Sequence, residues 1–193
     1  MSGSGFDRHA GAYEDACMEG LRVSGESQEY FARGRVDHLR AWWRAAGREE
    51  PHRILDYGCG IGTGTPFLAE AFPEARVLGV DPSEASVARA SAERSGERVS
   101  FRPLPDATDL PPADLVHLNG VVHHVPPPER SPFFRDLARR VAPGGIVAVY
   151  ENNPANPGTR FVMSRIPFDR DAVPVWPARL RDGLRGAGLR PLA

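Results

Sequence analysis

A chain of 193 residues suits one domain with a sizeable core. Its 24 basic and 25 acidic residues give a net charge of −1, which offers no electrostatic argument for a nucleic acid or an anionic membrane as partner. No apolar run approaches a membrane span, the polar glycine-rich start reads as no secretion signal, and Cys17 and Cys59 are too few for a disulfide framework, which favours a reducing cytoplasm.

In chain order, residues 1–50 form a separate N-terminal segment ahead of an α/β unit at 51–193. Within that segment an amphipathic helix carries Arg33 and Arg35 and runs to Trp42 and Trp43, placed to pack on a sheet. Ile54 and Leu55 end a short apolar run of the kind a buried parallel strand shows, with Asp56 at its carboxyl end. Gly58, Gly60, Gly62 and Gly64 follow and let the backbone turn with no Cβ to block a ligand. Thr65 and Pro66 fit the N-cap and N1 positions of a helix carrying Phe67 and Leu68. Val77 to Val80 predicts a second strand ended by Asp81, and a helix over about 84–95 stops at Gly96. A third strand follows at Val99 to Phe101, and a fourth at Asp114 to Val122, leading into His123-His124-Val125-Pro126. A helix begins at Ser131 and Pro132, Pro143-Gly144-Gly145 turns the chain, and Ile146 to Tyr150 makes strand five. Beyond it come the polar Glu151-Asn152-Asn153 loop, a helix from about Pro177 to Ala187, and a strand start at Leu189 to Leu192.

The glycine spacing separates the ligands such a loop can cradle. A dinucleotide fingerprint needs Gly-x-Gly-x-x-Gly, and starting from Gly58, Gly60 or Gly62 its last position is Thr63, Thr65 or Phe67. A phosphate-gripping loop needs Gly-Lys-Ser/Thr, and the chain contains no lysine. What remains from Asp56 is Asp-x-Gly-x-Gly-x-Gly, followed at the next strand end by Asp81. A carboxylate there accepts two ribose hydroxyls well, although with Pro82 and Ser83 it would equally cap the next helix.

This pattern resembles motif I of the class I S-adenosylmethionine (SAM) methyltransferases. Several further elements resemble the same family: Asp106-Ala107-Thr108-Asp109-Leu110-Pro111, the His-His-hydrophobic-Pro ending of strand four, the Pro-Gly-Gly step before strand five, and Phe6-Asp7-x-x-Ala10-x-x-Tyr13. The resemblance implies a Rossmann-like sheet with helices on both faces, residues 1–50 as a helical lid, and SAM as cofactor. It places Asp56, Gly58, Gly60, Gly62, Asp81, Asn119 and Ala107 around SAM, with Asp106 preferred over Asp109 for the adenine amino group. Arg33 or Arg35 would clamp the methionine carboxylate in a bidentate fork, and Tyr13 would lie over the sulfonium. His123 or His124 is the candidate base, Asn152 and Asn153 are the substrate-side candidates unless they only shape a turn, and no metal site is expected. Cys59 reads as a small filler within the loop.

The family normally has seven strands, and a chain ending at Ala193 implies C-terminal strands shortened or missing. Methyl transfer to a small-molecule, secondary-metabolite acceptor is the leading expectation, with a small molecule as partner and a homodimer as the assembly considered. Two alternatives stand beside it. In one, SAM is the sole substrate and cyclises to a small amino acid and methylthioadenosine; in the other, the domain binds SAM without turnover.

Overall fold

The computed structural model describes residues 26–104, 110–166 and 172–192. Helix α1 (Gln28–Ala45) starts where the Ser27 hydroxyl accepts the Tyr30 N–H at 3.1 Å, and it buries Ala32, Val36, Leu39 and Trp43 as one stripe. An alternation of strand and helix follows: β1 (Arg53–Tyr57), α2 (Thr65–Ala71), β2 (Arg76–Asp81), α3 (Glu84–Arg94), β3 (Val99–Pro103) and β4 (Ala113–Asn119). Short 3-10 turns at Val122–His124 and Pro127–Glu129 precede α4 (Arg130–Arg139), β5 (Val141–Tyr150), α5 (Pro157–Arg165) and α6 (Pro177–Gly186).

The five strands make one parallel sheet in the order β3-β2-β1-β4-β5. Successive strand residues face opposite ways, so β1 feeds two cores. Ile54 packs in a layer with Leu39 and Trp43 of α1 and Leu68 of α2, while Leu55 and Tyr57 join Phe133 and Leu137 of α4 on the other face. This is the expected α/β sheet with helices on both faces. The chain runs outward from β1 to β3, then returns to β4 on β1's other side, so a crevice opens at the carboxyl ends of β1 and β4. Asp114 pins the opposite end: its Oδ2 accepts the His52 and Arg53 N–H groups at 2.8 and 2.9 Å.

Four local expectations change. Thr65 is not the N-cap: α2 begins at Thr65 with Gly64 as cap, and the Thr65 hydroxyl instead donates to Asp56 Oδ2 at 2.7 Å. The fourth strand ends at Asn119, because Gly120 takes a φ of 69° and turns the chain into the 3-10 segment. The Pro143-Gly144-Gly145 turn lies within β5 as a register irregularity against β4, between the pairs Ala113–Val141 and Leu115–Ile146. The C-terminal helix forms as expected, but Leu189 to Leu192 adds no strand, and five strands are present among the described residues.

Gly62 has φ 78°, and a Cβ placed on it would lie 2.8 Å from two ring atoms of Phe101 in the core. Gly62→Ala therefore combines a left-handed alanine with overpacking, together about 2–4 kcal/mol. We expect its thermal midpoint to fall by roughly 10 °C, and an unchanged midpoint in a thermal unfolding scan would contradict this packing.

Candidate active site

The glycine loop is fastened to the end of β2. The Gly58 and Cys59 N–H groups donate to the Val80 carbonyl at 2.8 and 3.0 Å, and the Gly60 N–H donates to Asp81 Oδ2 at 2.8 Å. A Cβ on Gly58 would strike Val121 at 2.6 Å, whereas a Cβ on Gly60 would meet no protein atom within 4 Å. Gly58 and Gly62 thus serve the packing, and Gly60 faces open space in the cavity that fills the crevice. Cys59 stays a thiol in this setting: burial, with Asp56 and Asp81 nearby, pushes it well above its ordinary value.

Two buried carboxylates border the cavity. Asp81 accepts from the Gly60 N–H through one oxygen and from the Ser83 N–H at 2.9 Å through the other. The helix-cap role weighed for Asp81 belongs to Ser83, whose hydroxyl accepts the Ser86 N–H. Asp56 is committed inward, its Oδ2 to Thr65 and its Oδ1 to His117 Nδ1 at 2.9 Å. Asn119, two residues along β4 from His117, also lines the cavity.

The adjacent histidines separate. His123 is 3% exposed, and its Nδ1 lies 2.7 Å from Glu151 Oε2. Glu151 Oε1 accepts the Val121 and Val122 N–H groups at 2.9 and 2.6 Å. Burial alone would raise the Glu151 carboxyl, but the His123 hydrogen bond and charge and the two N–H donors hold it below the ordinary glutamate value. His124, its ring centroid 4.1 Å from that of His123, is the member of the pair that lines the cavity.

The two arginines separate as well. Arg33 turns outward, 3.0 Å from Glu70 and over the Phe67 ring at 4.2 Å, and is not among the residues lining the cavity. Arg35 lines it, with burial lowering its pKa against the opposing pull of Tyr150 and Glu151. Of the two arginines named for the carboxylate clamp, Arg35 is the one that lines the cavity. Neither Asn152 nor Asn153 lines the cavity; the Asn153 side chain accepts the Ala155 N–H at 2.9 Å and shapes a turn. Tyr13, Asp106 and Ala107 lie outside the described residues. No group of three or more His, Cys, Asp or Glu is placed to hold a metal ion among the described residues.

Comparison with known proteins agrees with this geometry. A family model described as a methyltransferase domain matches residues 54–145, the span from β1 into β5. The chain belongs to the class I SAM-dependent methyltransferases. A trans-aconitate 2-methyltransferase of Azoarcus sp. (strain BH72) is 30% identical to this domain over 173 residues, covering 87% of the chain and 62% of the relative. A second trans-aconitate 2-methyltransferase, from Methylobacterium nodulans, is 32% identical over 60% of the chain and 44% of its own length. The chain spans about half the length of the curated relatives it matches. Among solved structures, magnesium protoporphyrin IX methyltransferase of Synechocystis PCC 6803, with bound S-adenosylhomocysteine, superposes with a TM-score of 0.63 at 25% identity, covering 88% of this chain and 75% of that one. SAM is the cofactor that goes with this family.

Sequence reading singled out neither His117, which lines the cavity, nor Glu151, which holds the turn beside it. The signal for His117 was a polar residue inside the otherwise apolar run Leu115 to Leu118; for Glu151 it was an acid directly after an apolar strand. With its folded pKa depressed, Glu151 contributes stability in full above its unfolded value of about 4.3, and that contribution fades as pH falls through the lower folded value. Glu151→Gln is expected to cost about 1–3 kcal/mol at pH 7. Chemical denaturation should show the deficit shrinking as the pH is taken below about 4; a deficit equal at both ends would contradict the pairing.

Proposed function

We propose that this methyltransferase domain moves the methyl group of SAM to a small-molecule acceptor, in the cytoplasm and as part of secondary metabolism. The observation that carries this reading is the crevice beside Gly60, where bare backbone faces open space in a cavity that Asp81 and Arg35 also line. That donor and acceptor set fits an adenosyl amino acid: Asp81 for ribose hydroxyls, Arg35 for an α-carboxylate, and a loop with no lysine where no phosphate needs binding. SAM supplies an electrophilic methyl on its sulfonium. The chain's own share is alignment, for which a well-held pair of reactants gains on the order of 7–11 kcal/mol at best.

His124 on the cavity wall is the group suited to take a proton from an acceptor hydroxyl, a role worth roughly 10²–10⁴ in rate. His123 is then a positioning residue, held by Glu151 and packed at a tilt against His124. Helix α1 covers the cavity through Gln28, Ala32 and Arg35, which supports residues 1–50 as a lid. Tyr13, Asp106 and Ala107 keep the sulfonium and adenine roles that the family pattern implies. A small acceptor is supported by relatives named for trans-aconitate.

The test is to incubate the protein with SAM, with and without a panel of small hydroxylated and carboxylated acceptors, followed by mass spectrometry. The expected result is S-adenosylhomocysteine and a methylated product that appear only when an acceptor is present. Abundant methylthioadenosine without any acceptor would replace methyl transfer by cyclisation of SAM, and tight SAM binding with no turnover would make the domain a binding module.

A further inference from the structure

A second cavity, of about 480 Å³, opens between α1 and the end of β5 and shares Arg35 with the first. Small-molecule sites span roughly 300–1,000 Å³, so it has room for one. Its wall carries three aromatic rings, Tyr30 and Phe31 of α1 and Tyr150 of β5, with His38 beside them. Tyr30 leaves 59% of its surface bare there. The charges on the same wall are unevenly engaged. Arg33 is paired with Glu70 at 3.0 Å, and Asp37 is exposed to solvent. Arg35 is half-buried and makes no hydrogen bond or ion pair among the described residues. The acid that faces it, Glu151, already has its oxygens taken by His123 and the Val121 and Val122 N–H groups. A guanidinium drawn out of water calls for an anion, and it offers five N–H donors where one carboxylate takes two. Tyr150 is the cross-strand partner of Asn119, and its ring centroid lies 5.8 Å from that of His117. Asn119 and His117 both line the first cavity, so the two spaces adjoin, as those of two reactants must.

We propose that this second cavity holds the methyl acceptor and selects a small aromatic carboxylic acid, with Arg35 shared between the acid of the acceptor and the carboxylate of SAM. The proposal rests on the SAM reading above and deepens it by naming the acceptor class. The flat apolar body of such an acceptor is covered by Tyr30, Phe31 and Tyr150, whose rings favour offset or edge contacts with another ring. The Tyr150 hydroxyl lies 3.1 Å from His38 Nδ1. With His38 donating that bond, the Tyr150 O–H is left to donate to the acid. A neutral acceptor would leave part of the Arg35 fork unanswered, and a cationic one would be repelled by it.

The test titrates benzoate, benzamide and acetate into protein saturated with S-adenosylhomocysteine, which closes the first cavity to the probes; saturation is established beforehand by calorimetry. Benzoate should bind about 10- to 100-fold more tightly than benzamide, the value of hydrogen bonds to a charged group. It should also bind about 10-fold more tightly than acetate, through burial of the ring. In Arg35→Gln the preference for benzoate over benzamide should collapse to about 1-fold. Tyr150→Phe keeps the ring and removes only the hydroxyl, so it guards against an Arg35→Gln protein that does not fold. It should weaken benzoate by about 10-fold and bind S-adenosylhomocysteine as wild-type protein does, because Tyr150 does not line the first cavity. Benzamide binding as tightly as benzoate would overturn the proposal, and so would acetate binding as tightly. Undiminished benzoate affinity in both variants would overturn it as well. Failure of wild-type protein to bind S-adenosylhomocysteine would instead remove the SAM reading, and the proposal with it.

Discussion

Asp56 and His117 are register partners across the parallel β1–β4 pair, and their contact sets a buried carboxylate beside a buried imidazole in a face otherwise filled by Ile54, Leu115 and Leu68. A carboxylate taken out of water must be paired and hydrogen-bonded, or the fold carries a penalty of several kcal/mol. The surrounding chain answers that demand. Thr65 gives its hydroxyl to Asp56 instead of capping α2, so the helix begins on Gly64, and the glycine loop is stretched between this pair and Asp81 on the next strand. The open side of Gly60 follows from those two anchors.

The site has a second arrangement of the same chemistry. Glu151, just past β5, receives His123 Nδ1 and the two N–H groups of the turn after β4. Each acid is paired with the Nδ1 of its histidine, and each pair joins neighbouring strands toward the carboxyl edge of the sheet. One pair forms part of the cavity floor, while the other fixes the turn that presents His124. Acid–imidazole pairs thus shape two walls of a cavity whose remaining lining is largely backbone and apolar.

Much of this was legible in the sequence, and the parts that were not share a cause. Strand–loop–helix order, the cradle between Asp56 and Thr65, and Asp81 at the end of β2 depend on local spacing, which sequence carries directly. Arg35 was legible in principle. At about 100° per residue it lies about 60° from Ala32 on the buried stripe, while Arg33 lies about 100° to the other side. His123 and His124 are identical neighbours, and what tells them apart is Glu151, 28 residues away and brought in by strand pairing. Thr65 looked like a cap because its type and place were right, and the partner that drew it away, Asp56, became a neighbour only once the loop closed. Strand pairing decided the histidines and loop closure decided Thr65, and neither is written in the local spacing of one segment.

The central claim is that the open space beside Gly60 is where the adenosyl amino acid lies. The most direct measurement is calorimetric titration of SAM into wild-type protein and Gly60→Val, with a thermal scan to establish that the variant is folded. Because a Cβ at Gly60 meets no protein atom, the variant should stay folded apart from the modest cost of a left-handed valine, about 1–2 kcal/mol. The account predicts one-to-one binding by wild-type protein and none by the folded variant. A folded Gly60→Val that binds SAM as wild-type does would contradict it.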